Sequence, residues 1–223
     1  MLKKTIIHYL DKASAMINLR MSSFTYGPIL TQPGFPASYK DSRISGSEQV
    51  YAEGTYGVIF LQSIPAGSIT FLYTIFKLKE DMALDFQCAP QTIQVHAAMK
   101  NDSLFHIMGI GDLHFCEGQF NLLDSVRLDG SYYLEKDNEY RTLHIDFSST
   151  FLDKLLPAMP YLEAWIASGN EISRVLFQSN GWLSLQQREL LNQVLYNPYS
   201  GSMQTVYREI KAMEFMLLLL SQD

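Results

Sequence analysis

The chain has 223 residues, 47% of them apolar, which is enough for one sizeable core or for a small barrel with a helical appendage. A formal net charge of −6 argues against this chain itself gripping a nucleic-acid backbone, which takes a basic face. Cys88 and Cys116 are too few for a secreted disulfide scaffold and have no metal-ligand spacing, so a reduced, cytoplasmic protein is expected, with a single bridge as the other reading.

At the N-terminus, Lys3-Lys4 precedes an apolar run, Ile6-Ile7, that His8 and Asp11 cut short, so no signal-peptide core follows. Leu2–Leu19 has Ile6, Leu10, Ala13 and Ile17 near helical spacing, and Thr5–Leu10 reads equally as a strand. Tyr26–Ile44, with Pro28, Pro33, Gly34 and Pro36, reads as a loop or arm.

From about Gln49 to Phe147 the pattern becomes short apolar runs between turns. Val58–Gln62 and Ile69–Lys79 flank Pro65-Ala66-Gly67, and Ala83–Gln87 and Thr92–Met99 flank Cys88-Ala89-Pro90. Leu104–Met108 and Leu113–Cys116 flank Gly109-Ile110-Gly111-Asp112, a hairpin signal, and Phe120–Val126 and Tyr132–Glu135 flank Leu128-Asp129-Gly130, read as another hairpin turn. Glu139–Phe147 closes the series. Strands at this spacing without intervening helices predict an antiparallel sandwich or barrel.

After Phe147 the period switches. Ser148 or Ser149 caps a helix with Phe151, Leu152, Leu155 and Leu156 inward, stopped at Pro157. Pro160–Ala167 is a second short helix, and Ile172–Phe177 is ambiguous. In Ser184–Tyr196 the periodicity puts Leu185, Leu190, Leu191, Val194 and Leu195 inside and Gln186-Gln187-Arg188 outside. The predicted architecture is α+β: barrel through residue 147, helical subdomain over 148–223. Asn197-Pro198 then starts a turn, Ser200 or Ser202 caps, and an uninterrupted helix runs to Gln222. Its Val206, Ile210, Met213, Leu217 and Leu220 form a coiled-coil-like seam. Met203, Tyr207, Phe215, Leu218 and Leu219 form a second apolar row, leaving Arg208, Glu209, Lys211 and Glu214 as the wet side. Either this is a core helix with one broad apolar face, or one side covers the core and the other meets a second copy. The run Met216–Leu220 is too short to span a bilayer.

Asn197–Gly201, N-P-Y-S-G, followed by Tyr207–Leu220, Y-R-E-I-K-A-M-E-F-M-L-L-L-L, resembles the end of the regulatory domain of AraC-type transcriptional regulators. The subgroup is the one that includes the pyochelin-responsive regulator, where a C-P-Y-x-G-like turn leads into an L-Y-x-E-x-K-A-L-E-L-L-like helix. Gly130–Phe151, GSYYLEKDNEYRTLHIDFSSTF, resembles that subgroup's strand-to-helix junction. The first half of the chain matches only in general character. The resemblance implies a cupin-like antiparallel β-barrel that binds a small-molecule effector, a homodimer, and DNA contact only through a helix-turn-helix domain that does not lie in this chain. No enzymatic activity and no cofactor are expected, on the motif grounds given next.

Many cupins are metal enzymes, which is the rival reading. This chain has no H-x-H pair; His106, His114, Glu117 and His144 are the residues that zinc or iron would accept if they met. No G-x-S-x-G and no glycine-rich phosphate loop is present. In Arg141–Phe147, Leu143, Ile145 and Phe147 share one face and Thr142, His144 and Asp146 the other, which is either solvent-facing or the lining of a polar pocket. Candidate effector contacts are the polar and aromatic residues of the central strands: Tyr73, Gln94, His96, His106, His114, Tyr133 and His144.

Overall fold

The period-two stretches pair into two antiparallel sheets that face one another, and the helices cover the far side of one of them. The computed structural model describes residues 19–88, 92–125, 128–168 and 173–221. The readings of Leu2–Leu19, of the Cys88–Pro90 turn beyond the backbone of Cys88, and of Gln222 lie outside the described residues.

The first sheet has six strands. They are β1 (Arg20–Ser23), β2 (Gly27–Ile29), β7 (Met82–Cys88), β9 (Ser103–Ile107), β10 (Gly111–Phe115) and β12 (Leu128–Leu134), in the order β10-β9-β12-β7-β1-β2. The second sheet contains β3 (Gln32–Pro33), β4 (Glu48–Gly54), β5 (Gly57–Ala66), β6 (Ile69–Leu78), β8 (Thr92–Lys100), β11 (Gln119–Ser125), β13 (Glu139–Phe147), β14 (Arg174–Val175) and β15 (Gly181–Trp182). Its order is β14-β11-β8-β13-β6-β5-β4-β3, with β15 also on β11. Tyr26–Ile44, expected as loop or arm, contains β2, β3 and a 3-10 turn over Ala37–Ser42. Pro28 and Pro33 are tolerated because β2 and β3 are edge strands, where a missing N–H breaks no ladder bond.

Alternation along the strands explains the layering. The first sheet is covered on one face only: in β9, Ser103, Phe105 and Ile107 are buried while Leu104 and His106 are exposed. The second sheet is covered on both faces, so β5 and β6 are buried almost throughout. In β6, Leu72, Phe76 and Leu78 pack toward the first sheet with Leu84, Phe86, Phe105 and Tyr132. Phe71, Tyr73 and Ile75 of the same strand join the helices in a separate core with Phe151, Leu191, Phe215 and Leu219. The alternation of β13 is resolved in the same way. Leu143, Ile145 and Phe147 meet the helices, and Thr142 and His144 face the interior between the sheets, 1% and 9% exposed.

The helices are α1 (Ser149–Leu155), α2 (Pro160–Ala167), α3 (Leu185–Leu195) and α4 (Gly201–Leu220). Ser148 caps α1, its hydroxyl accepting from Phe151 N–H. Ser184 and Gln187 form a reciprocal capping box on α3. That box corrects the periodicity reading. Gln187, expected outside, is 1% exposed and also donates to the Leu218 carbonyl, whereas Leu185, expected inside, is 84% exposed at the first helical position. In α4 the inward face is Gln204, Arg208, Ala212, Phe215 and Leu219. Arg208, expected on the wet side, is 2% exposed. The outward stripe is Met203, Val206, Ile210 and Leu217, with Met213 half-buried. Leu220, placed in the seam by spacing, is buried, its carbonyl accepting from Tyr161 Oη. Among the described residues no helix is long and apolar enough to cross a membrane.

Candidate ligand site

The interior polar row begins with register. His96 of β8 stands directly opposite His144 of β13, and Gln94 opposite Asp146. Because His144, Thr142 and Gln94 share the parity of Leu72 and Ala98, they enter the apolar space between the sheets rather than solvent. The row is walled by aromatic rings from the facing sheet. His96 lies 4.5 Å from Phe105, 4.7 Å from Phe115, 4.7 Å from His144 and 6.2 Å from Tyr132, measured between ring centres. Rings at that spacing are in van der Waals contact, so a ligand entering between them displaces side chains rather than filling a gap.

The electrostatics follow from burial. Desolvation pushes the His144 imidazole down to about 4, so it is neutral at pH 7. Desolvation, with His144 adding a smaller effect, holds His96 well below its ordinary value. Burial pushes the Tyr132 phenol upward, with Thr142 acting in the opposite direction. His144 Nε2 and Tyr132 Oη share a hydrogen bond of 2.9 Å. His96 differs: it is fully buried and, among the described residues, neither ring nitrogen has a hydrogen-bond partner, and the same holds for Nε2 of Gln94. An unpaired buried polar group costs about 1–3 kcal/mol. The row therefore offers an imidazole donor, an imidazole acceptor and an amide donor, with no charge of its own at neutral pH.

The other candidates stand on different surfaces. Tyr73 faces the helices, where burial pushes its phenol upward and Arg141 hydrogen-bonds it. His106 and His114 are on the outer face of the first sheet, as is Tyr133, 46% exposed. The β9–β10 register pairs His106 with Asp112, whose carboxylate is 2.8 Å from Nδ1, and pairs His114 with Leu104. His114 and Tyr133 line an open surface hollow of about 600 Å³ with Leu104, Asp81, Asp102 and Glu135. The seven candidates thus form no single site. The metal set is corrected on the same ground. His144 is inside, His106 and His114 are outside, and Glu117 accepts from Asn101 N–H in a turn, so these side chains cannot share an ion. Among the described residues no group of three or more His, Cys, Asp or Glu side chains could hold a metal.

Sequence reasoning missed the ring walls Phe105, Phe115 and Tyr132. In Tyr132-Tyr133 the first ring is the inner one, on the same side of β12 as Gly130, where a Cβ would sit 2.1 Å from the His106 carbonyl oxygen of β9 and 2.8 Å from the buried Phe86 ring. No residue in the sequence marks that side as inward.

Among curated proteins no sequence matches the chain. Solved structures with similar folds include the AraC-like transcriptional activator CuxR, at 12% identity and TM-score 0.41, covering 85% of this chain and 62% of CuxR. ToxT from Vibrio cholerae is similar at 11% identity and TM-score 0.45, covering 68% and 55%. Ectoine synthase from P. lautus follows at 8% identity and TM-score 0.32, covering 57% and 80%. The chain thus spans less than two thirds of the length of CuxR or ToxT, and likenesses this distant leave the family argument to the sequence. The family model described as regulatory protein PchR N-terminal domain matches residues 69–223, from β6 through α4. It takes in both stretches that carry the resemblance, so the chain belongs to the PchR N-terminal domain family of regulatory proteins.

Proposed function

We propose that the chain is the effector-sensing and dimerisation domain of a cytoplasmic AraC-type transcriptional regulator. The barrel, taken to residue 147, holds a small-molecule effector, and the helices over 148–223 carry the homodimer contact. DNA is reached only through a helix-turn-helix domain outside this chain, and the domain itself is not an enzyme.

The observation that carries this reading is the inner row of Gln94, His96 and His144. Buried polar groups are almost always paired, so each exception asks for a partner, and strongly perturbed titratable groups cluster at functional sites. An effector with a hydrogen-bonding edge and a flat apolar body would satisfy His96 and Gln94 while replacing ring contacts with Phe105 and Phe115. Such a ligand shifts the protein only by binding one arrangement of barrel and helices better than another. Support for the dimer comes from the α4 stripe, where Met203, Val206, Ile210 and Leu217 are between 48% and 61% exposed.

A thermal-shift screen of sugars, siderophores and small organic acids tests the effector reading, since a bound ligand raises Tm by mass action. The expected result is a stabilising compound whose effect disappears in His96→Phe and Gln94→Leu. A shift that survives both substitutions would move the site out of the barrel interior.

A further inference from the structure

Arg208 lies on the inward face of α4, diametrically behind Val206 and Ile210 of the exposed stripe. The residue as a whole is 2% exposed. No carboxylate among the described residues pairs with it. Its acceptors are backbone carbonyls: Nε donates to Val194 O at the end of α3, 3.0 Å away, and Nη2 donates to Ser45 O in the loop before β4. Burying a cation without a carboxylate is costly, and the two carbonyl acceptors offset that cost. They also set position, because a guanidinium with acceptors on two different elements fixes direction as well as distance.

The loop is shaped for this contact. Gly46 has φ +70°, and a Cβ there would sit 2.3 Å from Gln204 Oε1 and 3.2 Å from Arg208 Nη1. The loop is in turn tied to the barrel. Ile44 N–H donates to Gln62 Oε1 of β5 at 2.8 Å, and Gln62 Nε2 donates to Ser42 O at 3.0 Å. Tyr39 Oη donates to Glu139 Oε2 at 3.1 Å, at the start of β13, the strand that carries Thr142 and His144 into the interior. A continuous set of contacts thus runs from β13 through the 39–47 segment to the N-terminal half of α4.

We propose that Arg208 is a positioning residue, a latch through which the barrel sets the rotation of α4 and hence where the exposed stripe points. The consequence for the dimer rests on the reading of that stripe given above; the latch itself does not. Hydrogen exchange read by mass spectrometry on the whole chain tests it, in the wild type, Arg208→Met and Gly46→Ala. The expected result is a rise of about tenfold or more in exchange at Gly201–Ile210 and Ser42–Ser47, with α3 and Phe215–Leu220 within about twofold of wild type. Arg208→Met leaves both carbonyls without this donor, so a modest fall in Tm is expected as well. Unchanged exchange in both segments overturns the latch. So does a uniform rise across α3 and α4, the result that a merely structural arginine would give. Light scattering on the same samples separates the two readings: a monomeric wild type removes the dimer, while the exchange pattern still decides the latch.

Discussion

His144 and Glu139 sit on the same strand and depend on pH for opposite physical reasons. His144 is kept neutral by burial, its folded value lowered to about 4 from 6.5. The unfolded chain then binds more protons below pH 6.5, so the stability this residue contributes is complete above 6.5 and is lost as pH falls toward 4. A shift of that size corresponds to about 3 kcal/mol. His96 acts in the same direction. Glu139 is charged in the fold. Burial alone would raise it, but hydrogen bonds from Lys100 and Arg141, together with the Arg141 charge and Tyr39, carry it down to about 2. Its contribution is present above pH 4.5 and is lost as pH falls through 2. Urea unfolding midpoints between pH 7.5 and 4.5 should therefore fall before Glu139 matters, and His144→Leu should flatten that fall. A midpoint independent of pH over this range would contradict the buried neutral pair.

At the scale of an element, α4 carries two unlike faces on one helix. The inward face begins polar, with Gln204 and Arg208, and ends apolar, with Ala212, Phe215 and Leu219. The outward face repeats Met203, Val206, Ile210, Met213 and Leu217 at spacings of three and four, the pattern by which one helix seats against another. Glutamate at both Ile210 and Leu217, each about half exposed, should leave the fold intact and turn a dimer into a monomer by sedimentation. A dimer that persists would place the contact elsewhere. Leu220 is not a useful position for that test, because its burial in the chain's own core would make a charged substitution unfold the helix.

For the whole molecule, the second sheet is a shared wall. Its inner face closes the barrel with the first sheet, and its outer face supplies Phe60, Phe71, Leu143, Ile145 and Phe147 to the helices. A chain cut after residue 147 would expose that outer face, an apolar area well above what a soluble monomer tolerates. It should be recovered only as aggregate, with the full chain expected in the soluble fraction; a well-folded monomeric barrel from the cut chain would show that the helices are dispensable. The same wall explains how a change inside the barrel can reach α4. His144 and Ile145 are neighbours on one strand, one facing the interior and the other the helices.

Much of this was legible from the residues. Strand and helix periods and the Ser148 and Ser184 starts are local, so the longer strands, their antiparallel class and the helices follow from propensity and spacing. Turn chemistry misled at Leu128-Asp129-Gly130, which lies inside β12 and makes no hairpin with β11, because β11 pairs in the other sheet. The turn-plus-helix and the Gly130–Phe151 junction also carried the family, because they hold specific residues at specific spacings. What spacing could not decide was which side of each strand meets which layer. Alternation separates Thr142 and His144 from Leu143 and Ile145 but does not say that the polar set points inward, since a strand has no intrinsic inside. Only the packing of two sheets and a helical layer turned His144 and Gln94 inward, left His106, His114 and Tyr133 in solvent, and buried Arg208 against two backbone carbonyls. Burial is a property of what lies opposite a side chain, and that neighbour comes from far away in the sequence.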